Sequence, residues 1–288
     1  MKHLCTFIMM AMGLMCTTTA NAQVSITPSA TTVQTLDQGA TYTFDRYEDY
    51  YVSPSFFSKS ADGSYLFKAI SGNYLIEPCV NSSVSYKYLQ VRLCDADGKL
   101  ATLQSDGTGA IYLIGNGIGL PTVAANQVGW NAGNGISMAQ KSSKHFELTG
   151  VVGKEFGNTI KFQFYGQNNW WPKLCGSDGQ TYHISTNSDL IGIGTGKAVD
   201  GHDDGTLYYK KDVSSLSGDT LTISLDCSAG IANIVMTTTL KAPVTTGISK
   251  PTASKCVTET WYSIDGKRLS AEPKSNGIYI HNGRKIVK

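Results

Sequence analysis

The sequence predicts an all-β chain: two tandem antiparallel β-sandwich (Ig-like) domains followed by a short C-terminal β tail. Three observations predict it. Short β-branched and aromatic runs recur between clusters of Gly, Asn, Asp and Ser. Helical periodicity is almost absent. Asp62-Gly63, Asp97-Gly98 and Asn276-Gly277 are tight-turn signals, because Gly accepts the positive φ such turns need.

The first 22 residues read as a signal peptide. Lys2 supplies the positive start, Leu4 to Met15 the apolar stretch, and Ala20 and Ala22 the small residues that a signal peptidase reads. The run is too short to span a bilayer, and no later segment is long and apolar enough. Cys16 raises the question of a lipid anchor, but Met15 is bulky where a small residue is wanted. The expected location is therefore exported, at the outer-membrane surface or outside the cell, with any membrane association indirect. Removing 22 of 288 residues leaves 266, enough for two domains that each bury a core.

Residues 23–107 read as the first domain. Its strands are Ala40 to Phe44, Ser64 to Ile70, Gly72 to Glu77 and Tyr88 to Leu93, with Ser71-Gly72 as a turn. Residues 108–240 read as the second. It opens on the apolar run Ala110 to Ile114, followed by a Gly- and Asn-rich loop from Gly115 to Gly135. The runs His145–Thr149, Ile160–Tyr165, Leu190–Ile193, Asp219–Leu225 and Ala232–Thr237 complete it. Residues 241–255 hold Pro, Thr and Ser without pattern and read as a linker. Residues 256–288 form the tail, a miniature unit of strand, turn and hairpin from Trp261 onward.

Net charge is +2, falling to +1 once Lys2 is removed. That balance excludes an electrostatic nucleic-acid binder, which needs a concentrated basic face. Seven cysteines include no CxxC pair, so no zinc or redox spacing is present. Export permits disulfides, and Cys79–Cys94 and Cys175–Cys227 are possible pairs. Buried unpaired thiols are the alternative.

The strongest candidate for a site is Gly166 to Lys173, which contains Asn169, Trp170, Trp171 and Lys173. It directly follows a strand on which Phe162 and Phe164 share one face, with Gln163 and Tyr165 on the other. Sugar rings have apolar C–H faces and polar edges. A glycan site therefore needs aromatic platforms flanked by donors and acceptors. Covering a ring contributes about 25 cal/mol per Å² before the costs of binding. Adjacent Trp170 and Trp171 cannot both face inward on an extended backbone. The alternative is that one fills the core and the other plugs the end of the sandwich. Trp130 in the preceding loop is a further glycan-contact candidate, or else a loop anchor packed on the sheet.

Asp200 to Gly205 gathers three carboxylates and His202. Calcium accepts such oxygens, but the spacing fits no calcium-binding repeat, so a solvated turn is the expectation. No GxSxG or HExxH motif occurs, and His145, His183, His202 and His281 have no metal-ligand spacing. The chain is expected to be no enzyme, with no catalytic residues, metal or cofactor.

Two resemblances extend this reading. Thr108–Gly119, Val128–Gly133, Ser137–Ala139, His145–Leu148 and Lys161–Tyr165 look like a domain of the SusE/SusF-type outer-membrane glycan-binding proteins of Bacteroidetes. The resemblance covers about residues 109–240. It implies non-catalytic binding of a starch-like or other polysaccharide or oligosaccharide, as part of an outer-membrane glycan-uptake complex. Family sites stack sugar on Trp beside a Lys or Arg and an amide. That pattern implies Trp170, Trp171, Lys173 and Asn169. The tail, Tyr262–Leu269 and Gly277–Lys288, resembles the C-terminal sorting signal of the type IX (Por) secretion system. The missing lipobox departs from SusE/SusF proteins, which are lipoproteins. A structural or adhesive surface protein, whose aromatic loop packs on a protein partner, is the competing expectation.

Overall fold

The structure, a computed structural model, describes residues 24–243, 260–281 and 284–288. The signal peptide, Cys16, most of the expected linker and Cys256 lie outside the described residues. The described residues up to Pro243 belong to one compact unit and those from Thr260 onward to a second. The described residues contain no α-helix, only strands and three single turns of 3₁₀ helix.

The first part of the larger unit supplies β1 (Val24–Ile26), β2 (Val33–Leu36), β3 (Thr41–Phe44), β4 (Tyr51–Val52), β5 (Phe57–Lys59), β6 (Tyr65–Phe67), β7 (Gly72–Asn81) and β8 (Tyr86–Cys94). They form two four-stranded sheets, β1-β3-β6-β5 and β2-β7-β8-β4. An aromatic cluster fills the space between them. Phe44 meets Phe57 edge-on at 5.3 Å, and Phe67 meets Tyr74 at 5.0 Å. Such pairs add to the burial of their area.

The second part supplies β9 (Tyr112–Gly119), β10 (Gln127–Gly129), β11 (Ile136–Ser137), β12 (Ala139–Ser142), β13 (His145–Val151), β14 (Phe156–Tyr165), β15 (Ile184–Thr186), β16 (Ile191–Ile193), β17 (Leu207–Tyr209), β18 (Thr220–Asp226) and β19 (Ile234–Lys241). One sheet runs β10-β9-β14-β17-β16, with β11 also on β9; the other runs β12-β13-β18-β19-β15. In β13 and β18 every second residue is buried, as a sheet with one face on a core requires. Phe146, Leu148, Leu221, Ile223 and Leu225 from that sheet share one apolar cluster with Leu113, Phe162, Phe164 and Leu207 from the other. This is an all-β, sandwich-like architecture.

The two apolar clusters adjoin closely. Ala139 of β12 belongs to the N-terminal cluster, while Tyr51 and Tyr88 pack against the second. Across the boundary Ile70 N–H donates to Gln140 O at 2.8 Å, Gln90 Nε2 to Gly135 O at 3.0 Å and Thr149 N–H to Ser55 Oγ at 2.8 Å.

Two expectations are corrected. The stretch from Gly115 is not loop, because β9 continues through it to Gly119. The glycines are there for close approach: a Cβ on Gly115 would lie 2.4 Å from Phe162 Cα, and one on Gly117 2.2 Å from Thr159 O. The sheets are also not purely antiparallel. β1–β3, β4–β8 and β15–β19 are parallel pairs, each bringing in a strand at a sheet edge. Such edge strands arrive through long connections rather than hairpins.

Of the two readings of the cysteines, unpaired thiols are what the structure has. Cys79, Cys94, Cys175 and Cys227 are free. Cys79 stands opposite Tyr88 and Cys94 opposite Asn73, six residues along the ladder and about 20 Å away. A disulfide needs Cα atoms within about 7 Å. Cys175 bridges to His183, whereas Cys227 packs on Gly107, so these two also have separate neighbours. Burial pushes the Cys175 thiol up to about 11 and the Cys227 thiol up to about 12.

The smaller unit supplies β20 (Trp261–Ser263), β21 (Arg268–Leu269), β22 (Ile278–His281) and β23 (Arg284–Val287), in sheet order β21-β20-β22-β23. Trp261 stacks flat on His281 at 4.1 Å, and the Lys288 ammonium lies 4.9 Å from the Trp261 ring centre.

Candidate functional site

The site is a hairpin loop at the end of β14. Gly166 N–H donates to Pro172 O at 2.8 Å and Leu174 N–H to Phe164 O at 2.9 Å, so the chain returns beside the strand it left. Side chains then fix the loop from within. Asn169 Oδ1 accepts Trp170 N–H at 2.7 Å, and the Gln167 amide donates to the carbonyls of Trp170 and Trp171.

Both indoles face solvent: Trp170 is 42% exposed and Trp171 65%. The alternative of one Trp in the core and one plugging the sandwich is not what the loop does. Trp171 holds φ = +64°, an uncommon state for a bulky residue. The rest of the loop enforces that conformation, and it presents the ring outward. Such local strain persists only where the surroundings over-determine it.

A continuous set of contacts lies beneath the pair. Trp170 meets Tyr165 edge-on at 5.7 Å. Tyr165 O–H donates to Gln163 Oε1 at 2.7 Å, and Gln163 Nε2 donates to Thr206 Oγ1 at 2.9 Å and to Asp204 O at 3.2 Å. The same Asp204 carbonyl accepts Lys173 Nζ at 2.8 Å, and that ammonium lies 5.7 Å from the Trp171 ring centre. Burial pushes the Tyr165 phenol up to about 12, keeping it a neutral donor. Residues 163 and 165 share the face opposite Phe162 and Phe164, so strand alternation places the polar support and the core on opposite sides.

Asn169 is exposed; with its oxygen engaged, it has its NH₂ to offer a ligand. Trp130 is 39% exposed on the adjoining loop. That loop reaches this one where Gly135 abuts Asn168: an added Cβ would meet Asn168 Oδ1 at 3.0 Å. The five residues singled out from sequence therefore lie on two neighbouring loops. Gln163, Tyr165, Gln167 and the Asp204 carbonyl complete the arrangement and were not among them. Alternation around Phe162 and Phe164 could have flagged Gln163 and Tyr165; the Asp204 contact joins parts of the chain that no local pattern links.

The acidic turn has a structural explanation. Asp200 accepts Thr195 N–H at 2.7 Å and His202 N–H at 2.9 Å. Asp203 pairs with Lys197 at 3.0 Å and Lys161 at 3.6 Å, and the Lys197 ammonium holds its carboxyl below the usual range. Asp204 caps Gly176 and Ser177. His202 stacks on Tyr208 at 3.5 Å. The three carboxylates serve three separate sets of partners. Among the described residues no group of three or more His, Cys, Asp or Glu is placed to hold a metal ion.

Residues 106–208 match a family profile described as a domain of unknown function (DUF5121). The matched stretch carries Trp130, the Trp170/Trp171 loop and Asp204. No curated protein and no solved structure matches the chain significantly.

Proposed function

We propose that this chain is a non-catalytic glycan-binding protein that captures polysaccharide through the Trp170/Trp171 loop. One observation carries the reading: two adjacent indoles stand exposed on a loop whose shape is fixed from within and from below. Exposed apolar rings held rigid lose little freedom when a ligand stacks on them, so more of the contact energy appears as affinity. A sugar ring stacked on Trp171 meets the Lys173 ammonium and the Asn169 amide at its hydroxyl edge. Trp170 and Trp130 extend the apolar surface for neighbouring residues of a polymer. The resemblance to SusE/SusF-type proteins supports a starch-like substrate and a place at the outer-membrane surface in support of glycan uptake, after export directed by the signal-peptide-like start and the sorting-like tail.

Affinity electrophoresis tests the proposal. The protein is run through native gels containing amylopectin, other α-glucans, xylan, mannan or mucin, beside a Trp170→Ala/Trp171→Ala variant. Retardation on one glycan, lost in a variant that keeps its melting temperature, supports it. A protein unretarded on every gel returns the adhesive or structural reading.

A further inference from the structure

We infer that a second, separate saccharide-binding groove lies where the β7–β8 hairpin meets the loops after β9 and β13. The inference rests on the glycan-binding reading of the chain and adds a site to it. The groove has a volume of about 530 Å³ and is lined by Tyr50, Tyr51, Tyr86, Lys87, Thr122 and Lys154, among others. That is a size suited to a small ligand or a short stretch of polymer.

Strand pairing builds it. β4 runs parallel to β8 with Tyr51 opposite Tyr88, which sets Tyr50 beside Lys87. Tyr86, at the start of β8, is 38% exposed. The rings are oriented in advance. Tyr47 props Tyr50 edge-on at 4.9 Å. The Lys87 ammonium sits 5.7 Å from the Tyr50 ring centre and is held by Asp49 at 2.6 Å. On the facing side Lys154 lies 5.3 Å from the Tyr51 ring centre and pairs with the buried Glu155 at 3.1 Å.

This chemistry selects the ligand class. Tyrosine rings give faces for sugar C–H groups, while the ammoniums, the Asp49 carboxylate and the Thr122 hydroxyl give partners for sugar hydroxyls. Each cation is already matched to a carboxylate, Lys87 to Asp49 and Lys154 to Glu155. Asp49 in the lining and the buried Glu155 behind it together offset both ammoniums, so the groove suits a neutral oligosaccharide rather than a phosphate or a uronic acid.

Position gives the groove a distinct role. Lys154 lies just before β14 and the Trp loop just after it, and β14 runs from Phe156 to Tyr165. At about 3.3 Å per residue the two sites stand roughly 30 Å apart. A polymer that reaches both gains effective concentration at the second, and a short oligosaccharide does not.

The test measures mobility against polysaccharide concentration for four proteins: wild type, Tyr86→Ala, Tyr50→Ala/Tyr86→Ala and Trp170→Ala/Trp171→Ala. The gels contain amylopectin, xylan or mannan. Tyr86→Ala removes an exposed ring without touching the Tyr47–Tyr50 contact, so it reports even if the double variant folds poorly. On the glycan that retards wild type, the groove variants should bind about ten-fold more weakly, and Tyr86→Ala should keep the wild-type melting temperature. Groove variants as retarded as wild type would overturn the second site and leave the Trp loop standing. Wild type unretarded on all three would overturn both. Retardation lost in the Tyr variants but kept in the Trp variant would support the groove and remove the Trp loop.

Discussion

The Lys173 ammonium lies 5.7 Å from the centre of the Trp171 ring, and the Asp204 carbonyl holds it there at 2.8 Å. A charge over an indole strengthens both the ring's orientation and its polar edge. Lys173→Met keeps the aliphatic stem and removes the ammonium. It should weaken glycan binding about three- to ten-fold, since one hydrogen bond to a charged group accounts for about 1 kcal/mol or more. The affinity gel series used for the tryptophans checks this, and binding equal to wild type would detach Lys173 from the site.

Trp171 offers a way to separate binding from stability. Its φ of +64° costs a bulky residue about 1 kcal/mol that glycine does not incur. Trp171→Gly also loses the contact with Lys173, which contributes about 0.5–1 kcal/mol. The two nearly cancel. Urea unfolding should give a stability within about 1 kcal/mol of wild type, while retardation on the glycan gel disappears. A large loss of stability would mean the indole is a structural prop.

Much of the fold was legible in the sequence because alternation is local: β13 and β18 bury every second residue, as their apolar patterns predict. The Trp loop was legible because two adjacent indoles have no simple way to be buried together. Three features were not. Gly115 and Gly117 read as loop because their reason is the backbone of β14, which is distant in sequence. The edge strands β4 and β15 are too short to show a period. The tyrosine groove gathers Tyr50, Tyr86 and Lys154 from three segments. Tyr47, Tyr50 and Tyr51 near Asp49, and Tyr86 and Tyr88 around Lys87, were the signal available for it.

The glycines of β9 give a packing test. An alanine at Gly117, where φ is +79°, sets its Cβ 2.2 Å from Thr159 O. Backbone must move, so the loss should exceed about 3 kcal/mol. Gly129 also has positive φ, +65°, but its Cβ would meet nothing within 4 Å. Gly129→Ala should therefore cost only about 1 kcal/mol. Equal losses by chemical denaturation would contradict the close approach of β9 and β14.

Lys141 sets a pH dependence. Burial, with Lys68 nearby, pushes its ammonium down to about 8 from 10.5, although Glu147 opposes the shift. Between those values the unfolded chain binds more protons than the folded one, so this group's contribution to stability rises with pH through that window and is flat below it. Relative to Lys141→Met, wild type should gain on the order of 2 kcal/mol between pH 8 and pH 10. Urea midpoints across that range check it, and parallel profiles for the two proteins would contradict a buried ammonium at this position.

The most direct test of the central claim is the tryptophan emission of the protein during titration with soluble amylopectin, xylan and mannan. A sugar stacked on Trp170 and Trp171 replaces water at their exposed faces, so emission should shift and saturate with one of these glycans. The Trp170→Ala/Trp171→Ala variant should show no such change. Emission that no glycan alters, or a change that persists in the variant, would contradict glycan capture by this loop.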